Sequence, residues 1–147
     1  MQLSIQASLL NVRNLDQSVE FYRHVFDLPV TARQDRVAAL IISEAERQQV
    51  LLLREAGGPH PVHMGRGTIG SRLLVFEAGS PGELDVIEHR LTERKAFVGR
   101  RRTETWEAVV GFDPDRIEVS VSASLTGAPI QTEAWAGLDQ MVYEVGE

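Results

Sequence analysis

Few side chains in this sequence have the chemistry to bind a metal, move a proton or attack a substrate. They are the histidines His24, His60, His63 and His89 and a carboxylate group at Asp113, Asp115 and Glu118. There is no cysteine, which excludes disulfides, thiolate metal sites and a Cys nucleophile and fits a reducing compartment. No serine has a His and an Asp arranged with it as a nucleophile would need. Glu20 and His24 are four apart, the spacing of a local pair on one helix face. His24 and His89 sit among charged neighbours and are expected to face solvent. His60 and His63 fall in a Gly- and Pro-rich stretch, where exposed loop is the plain reading. They would join Glu118 in a metal site only if that loop folded over it. Asp113 and Asp115 flank Pro114 and read as turn residues rather than as a general acid and base. Arg100, Arg101 and Arg102 would clamp an anion, or charge an exposed strand edge against further pairing. Gly65 to Gly70 spells G-x-G-x-x-G, but it follows a loop and leads into an apolar strand, the wrong setting for a dinucleotide fingerprint.

These residues must be held by elements that the apolar pattern defines. Asn14 is a good helix N-cap, with Gln17 three residues on as in a capping box. Leu15, Val19, Tyr22 and Phe26 then recur at helical spacing, and Pro29 forbids another turn. The first helix is therefore expected over about 15–26. Before it, residues up to Val12 form a strand, with Ala7, Leu9 and Asn11 on one face and Ser8, Leu10 and Val12 on the other. Strands are expected after it over about 30–33, 37–42 and 49–54. The segment 56–61 is the clearest break. A strand over about 72–78 follows, then Ser80-Pro-Gly-Glu83, a strong helix start. Leu84, Ile87 and Leu91 give a second stripe on a helix over about 81–95. Three more strands are expected near 97–100, 104–111 and 116–122.

The two halves thus share one order, β-α-β-β-β, with the caps Asn14 and Ser80 sixty-six residues apart. One such unit has too little core to stand alone, so two copies are expected to pair their sheets. The fold class is α+β, with two tandem βαβββ modules.

Bulk properties bound the function. The chain has 147 residues, enough for one domain of two small halves. Its net charge of −6 argues against a nucleic-acid surface and suits a cationic ligand, although solubility alone also accounts for it. No apolar run is long enough to span a membrane, and the N-terminus lacks the pattern of a secretory signal. A cytoplasmic location is expected.

The residues Leu10, Val12, Asn14, Leu15, Ser18, Phe21, Tyr22, Leu28 and Val30 match the pattern L-x-V-x-(D/N)-L-x-x-S-x-x-F-Y…L-x-(L/V). That pattern resembles the opening module of the vicinal oxygen chelate superfamily, which includes glyoxalase I, extradiol dioxygenases and bleomycin-resistance proteins. The resemblance covers about residues 3–123. It implies a single domain over 1–124, with modules at about 3–56 and 67–123, a linker over 57–66 and a tail over 125–147. Paired modules of this kind form curved mixed sheets around a cleft. Trp135, Leu138, Met141 and Tyr143 would let the tail pack on something, such as a partner subunit, and a homodimer is expected.

Catalytic members bind a divalent metal through His, Glu or Gln at four strand positions, and each carries over separately. The first falls on Ala7 and the second on Leu52, with only Leu51 or Leu53 beside it. The third falls on Leu73, or on Ser71 after a two-residue slip. The fourth falls on Glu118, within Asp113-Pro-Asp-Arg-Ile-Glu-Val119, which resembles the family's D-P-D-G-(N)-x-I-E-(L/V) signature without its Gly-Asn. One donor of four holds a cation poorly. No cofactor is therefore expected, and a divalent metal is disfavoured. Glu118 is either the polar residue between Ile117 and Val119 on an alternating strand or a carboxylate lining a ligand site. Three functions stay open. The first is a metal-independent protein that binds a small organic molecule, resembling antibiotic-binding resistance proteins, with Ala7, Leu9, Leu52, Leu73, Val75, Trp106 and Glu118 around the ligand. Core packing is the other reading of Trp106. The second is a lyase, isomerase or dioxygenase with a displaced metal or none. The third is a partner or regulatory module with a closed cleft.

Overall fold

A computed structural model of the chain describes residues 1, 5–43, 49–56 and 73–130. The expected linker over 57–66, with His60 and His63, lies outside them, as do Ser71 and residues 131–147 of the tail. The chain divides into two compact units, 1–69 and 70–147.

In the first unit the order is β1 (Ala7–Val12), α1 (Leu15–Phe26), β2 (Val30–Gln34), β3 (Val37–Ser43) and β4 (Gln49–Glu55). They form one sheet in the order β1-β4-β3-β2, with β1 and β4 parallel and the other pairs antiparallel. Helix α1 forms where its caps direct. Asn14 Oδ1 accepts a hydrogen bond from the Gln17 backbone N–H at 3.0 Å. Asp27 closes the other end in the left-handed conformation, φ 55°, and Pro29 follows. Leu15, Val19, Tyr22 and Val25 are buried, and α1 packs on β3 and β4. The buried face beneath it consists of Leu10 and Val12, Ala38 and Leu40, and Leu51 and Leu53. Phe21 and Tyr22 add an edge-on ring contact at 5.2 Å, and Arg33 pairs with Asp16 across from β2 to the helix.

The second unit repeats the order as β5 (Leu73–Glu77), α2 (Pro81–Glu93), β6 (Phe97–Arg102), β7 (Trp106–Phe112) and β8 (Glu118–Ser124). Its sheet runs β5-β8-β7-β6, again with the first and last strands of the unit parallel. Both units are therefore βαβββ modules, as the repeated caps imply. Leu84 and Leu91 are buried, over Val109, Val119, Val121 and Ala123. Ile87 of the expected stripe is only half-buried.

The second helix starts differently from expectation. Ser80 occupies the N-cap position, but its side chain makes no capping bond. Instead Glu83 Oε2 accepts from the backbone N–H of Gly79, one residue before the cap, at 2.7 Å, so the acid reaches back past the cap position rather than closing a capping box on it. The helix ends at Glu93 rather than Lys95, because Lys95 adopts φ 56°. Strands β7 and β8 each begin two residues later than expected. Thr103 Oγ1 accepts from the backbone N–H of Thr105 and Trp106, and Asp113 Oδ1 accepts from those of Asp115 and Ile117, both at 2.8 Å. Each side chain holds the residues after it in a turn.

Arg116 ends the second of these turns at φ 67°, a conformation that penalises any residue with a Cβ. Replacing Arg116 by Gly removes that penalty and also removes the guanidinium stacked 5.4 Å from the Phe112 ring centroid. The conformational term is the larger, so Arg116→Gly is expected to raise stability by about 0.5–1 kcal/mol. A higher urea midpoint at unchanged m would show it.

Candidate functional site: the helix-free sheet faces

Each sheet covers one face with its helix and turns the other away from it. Because alternate residues of a strand share a face, the register assigns every side chain. In the first unit the helix-free face carries Ala7 beside Val50, then Leu9 beside Leu52 and Ala39, then Asn11 beside Arg54 and Val37. Ala7 is exposed, Leu52 is half-buried, and Leu9 keeps 43% of its surface accessible. The face turns polar at its far end, where Arg54 Nε donates to Asn11 Oδ1 at 3.1 Å. There Asn11, Arg36, Arg54, Glu55 and Ala56 line an open hollow of about 460 Å³.

In the second unit the rows across β5, β8 and β7 are Leu73, Glu118 and Phe112, then Val75, Ser120 and Val110, then Glu77, Ser122 and Ala108. Trp106 lies opposite Ser124 at the other end of the face from Glu118. It packs with Leu73 and Val98 against Ala108 and Val110. The structure thus brings Leu73, Val75 and Glu118 together as neighbours and puts Trp106 on the same face, three rows along β8 from Glu118. It also separates Glu118 from Val119 and Val121, which face α2.

The fit of a metal can be read from these registers. In the second unit the two family positions, Leu73 and Glu118, are direct neighbours on adjacent strands. In the first unit the residue directly opposite Leu52 is Leu9, two along the same face from Ala7. Strand and cap are five residues apart from Leu9 to Asn14 but seven from Leu73 to Ser80, so one sixty-six-residue offset does not serve both. In either register the side chain is hydrocarbon. Among the described residues these positions offer one carboxylate among alkyl groups, fewer donors than a divalent ion requires. Among the described residues no group of three or more His, Asp or Glu is placed to hold a metal ion.

The other candidates resolve locally. His89 is exposed and lies 3.3 Å from Glu93, one turn on. Asp113 is buried and is taken up by its turn. Arg100 does not await an outside anion, because Glu107, Asp85 and Glu88 surround it.

Sequence reasoning missed Ser120. It is fully buried on the helix-free face, and its Oγ makes no hydrogen bond. Glu118 Oε2 is likewise buried without a hydrogen bond of its own, although Glu118 has other interactions. The signal was available in Glu118-Val-Ser-Val-Ser-Ala-Ser124, where four polar residues alternate with three apolar ones on a central strand.

Against known proteins, the sequence model of the Glyoxalase/Bleomycin resistance protein/Dioxygenase superfamily matches residues 4–121. No functionally curated protein shows significant similarity to the chain. Among solved structures, the fold is similar to a glyoxylase/bleomycin resistance protein/dioxygenase domain from Frankia sp. EAN1pec. The TM-score is 0.67 at 23% identity, covering 84% of this chain and 99% of that one. It is similar to a lactoylglutathione lyase from Agrobacterium tumefaciens, with TM-score 0.62 and 22% identity over 82% and 92% of the two chains. It is also similar to TnmS3, an antibiotic binding protein from Streptomyces sp. CB03234, with TM-score 0.59 and 19% identity over 84% and 98%. At these identities the likeness concerns the fold.

Proposed function

The chain belongs to the glyoxalase/bleomycin resistance protein/dioxygenase superfamily, and we propose that within it this protein binds a small organic molecule without a metal. The observation that carries this reading is the donor set. Leu9 or Ala7, Leu52 and Leu73 stand where a catalytic member presents metal ligands, and an alkyl group has no electron pair to give. The same residues are suited to an apolar ligand. In the second unit Leu73 and Val75 offer hydrocarbon beside the Glu118 carboxylate, and the first unit separately offers Leu9 and Leu52 on its own helix-free face. Binding sites for small molecules combine apolar walls with a few placed polar groups in this way. That a protein of similar fold binds an antibiotic is consistent with the reading.

Metal analysis tests it. Protein purified without chelator is expected to carry less than about 0.1 equivalent of Zn, Fe, Mn or Ni, since three or four donors are needed to retain one. Its Tm is expected to be unchanged by EDTA, because nothing bound only by the folded state is removed. A stoichiometric metal that EDTA strips with loss of stability would overturn the proposal.

A further inference from the structure

We infer that Asn11, Arg36 and Arg54 form the head of a ligand site in the first unit, which receives a carboxylate while Leu9, Leu52 and Ala39 in the next row receive the ligand's apolar body. The inference rests on the reading that the protein binds a small organic molecule, and it adds the ligand's chemistry. The hollow at this end of the sheet is about 460 Å³, within the range of small-molecule sites. Its lining comes from separate parts of the unit. Asn11 belongs to β1, Arg36 to the turn between β2 and β3, and Arg54, Glu55 and Ala56 to the end of β4. Hydrogen bonds hold these parts together. The Glu55 backbone N–H donates to the Arg36 carbonyl, and that of Ala56 to the Val12 carbonyl, both at 2.8 Å. Arg54 Nε donates to Asn11 Oδ1 at 3.1 Å. That bond orients both side chains and leaves the two Nη groups of Arg54 and Asn11 Nδ2 as donors.

Two guanidiniums thus share one concavity with a single carboxylate, that of Glu55. Among the described residues none of the three makes an ion pair. The local charge is positive although the whole chain carries −6. Like charges held so close repel, and a bound anion relieves the repulsion. A carboxylate meets the planar fork of a guanidinium with two parallel hydrogen bonds. Glu55 limits the charge that fits, because a doubly charged phosphate would sit beside a carboxylate of its own sign. The apolar row shares the same sheet face and lies about 7 Å along the strands from Asn11 and Arg54, the rise of two residues. Leu9 in that row keeps 43% of its surface accessible. The arrangement suits a carboxylate joined by a short chain to a hydrocarbon ring.

The full chain should be titrated calorimetrically with probes of one shape, 3-phenylpropanoate, 3-phenylpropanol, 3-phenylpropylammonium and 2-phenylethyl phosphate. The carboxylate is expected to bind at least about tenfold more tightly than the alcohol, as a charge-assisted bond implies, and the ammonium is expected to bind least. Arg36→Gln/Arg54→Gln should abolish the preference for the carboxylate over the alcohol. It should leave the Tm of the free protein within about 3 °C of the parent, because both side chains are exposed. Arg54→Lys should keep only part of the preference, since an ammonium lacks the fork. Glu55→Gln should tighten the phosphate more than the carboxylate, by removing the like charge. A double variant that binds the carboxylate as the parent does would overturn the inference, and so would a parent that binds the ammonium or the phosphate more tightly than the carboxylate. Equal binding of carboxylate and alcohol would also overturn it, while leaving the small-molecule reading standing. If no probe binds, the small-molecule reading falls and takes the inference with it.

Discussion

Gly111→Ala is expected to destabilise the protein by about 2–3 kcal/mol, the range for forcing an extra carbon into a filled core. Gly111 lies in β7 on the face that α2 covers. A Cβ built on it would stand 2.7 Å from the Ala96 carbonyl oxygen and 2.9 Å from both Leu91 methyl carbons. Leu91 is buried and can yield only by pushing on its neighbours. The Ala96 oxygen cannot yield easily, because it accepts the Phe112 backbone N–H at 2.9 Å. The new methyl therefore strains both the helix seat and a hydrogen bond joining the end of β7 to the loop after α2. Equilibrium urea unfolding measures the loss. Leu91→Ala alone should cost about 2–5 kcal/mol. Combined with Gly111→Ala it should cost less than the sum, since the two Leu91 contacts are gone, yet the Ala96 contact keeps the pair from full recovery. A Gly111→Ala protein as stable as the parent would mean that α2 does not sit on β7 as described.

The contrast between the helices shows what could be read before any coordinates. Helix α1 ran from Leu15 to Phe26 as expected because both its stop signals are local. Asn14 bonds three residues ahead, and Pro29 lacks the N–H that another turn needs. Helix α2 ended two residues early. Its left-handed residue is Lys95, not a Gly, and a Lys in that conformation leaves no mark in the sequence. Register was less accessible still. The caps repeat at sixty-six residues, but the strand-to-cap distance differs by two between modules, so Leu9 rather than Ala7 stands opposite Leu52. Alternation preserved the face while the row slipped. That Leu73, Val75 and Glu118 share one sheet face was legible because alternation is local; Ser120 follows the same rule and lies on that face too.

Arg100 illustrates the kind of contact that no spacing announces, and its removal is the second large effect. Its Nε donates to Glu107 at 2.8 Å, and its Nη1 reaches Asp85 at 2.6 Å and Glu88 at 2.8 Å. One guanidinium thus joins the edge strand β6 to β7 and to two positions of α2 one turn apart. The hydrogen bond that it donates to Glu107 is foremost in pushing its pKa upward, with those to Glu88 and Asp85 adding to it against the opposing effect of burial. A raised cationic pKa contributes stability that is fully present below the unfolded value and is lost only as pH rises through the folded one. Arg100 therefore stays charged across the neutral and moderately alkaline range, and its contribution should be flat there. Arg100→Met keeps the stem and removes the charge. Most of the effect should come through Glu107, whose side chain is 10% exposed, and little through Asp85, which is 70% exposed and well solvated. Leaving a nearly buried carboxylate without its cation costs about 3 kcal/mol. Arg100→Met/Glu107→Leu should recover most of that loss, because no buried charge remains. Arg100→Lys should fall between the parent and Arg100→Met, since one ammonium cannot reproduce the planar fork. Urea midpoints for the parent, Arg100→Met, Glu107→Leu and the double variant close the cycle. If the double variant were as unstable as the sum of its singles, the ion pair would be an ornament of the surface and the cohesion of β6 with α2 would have to be sought elsewhere.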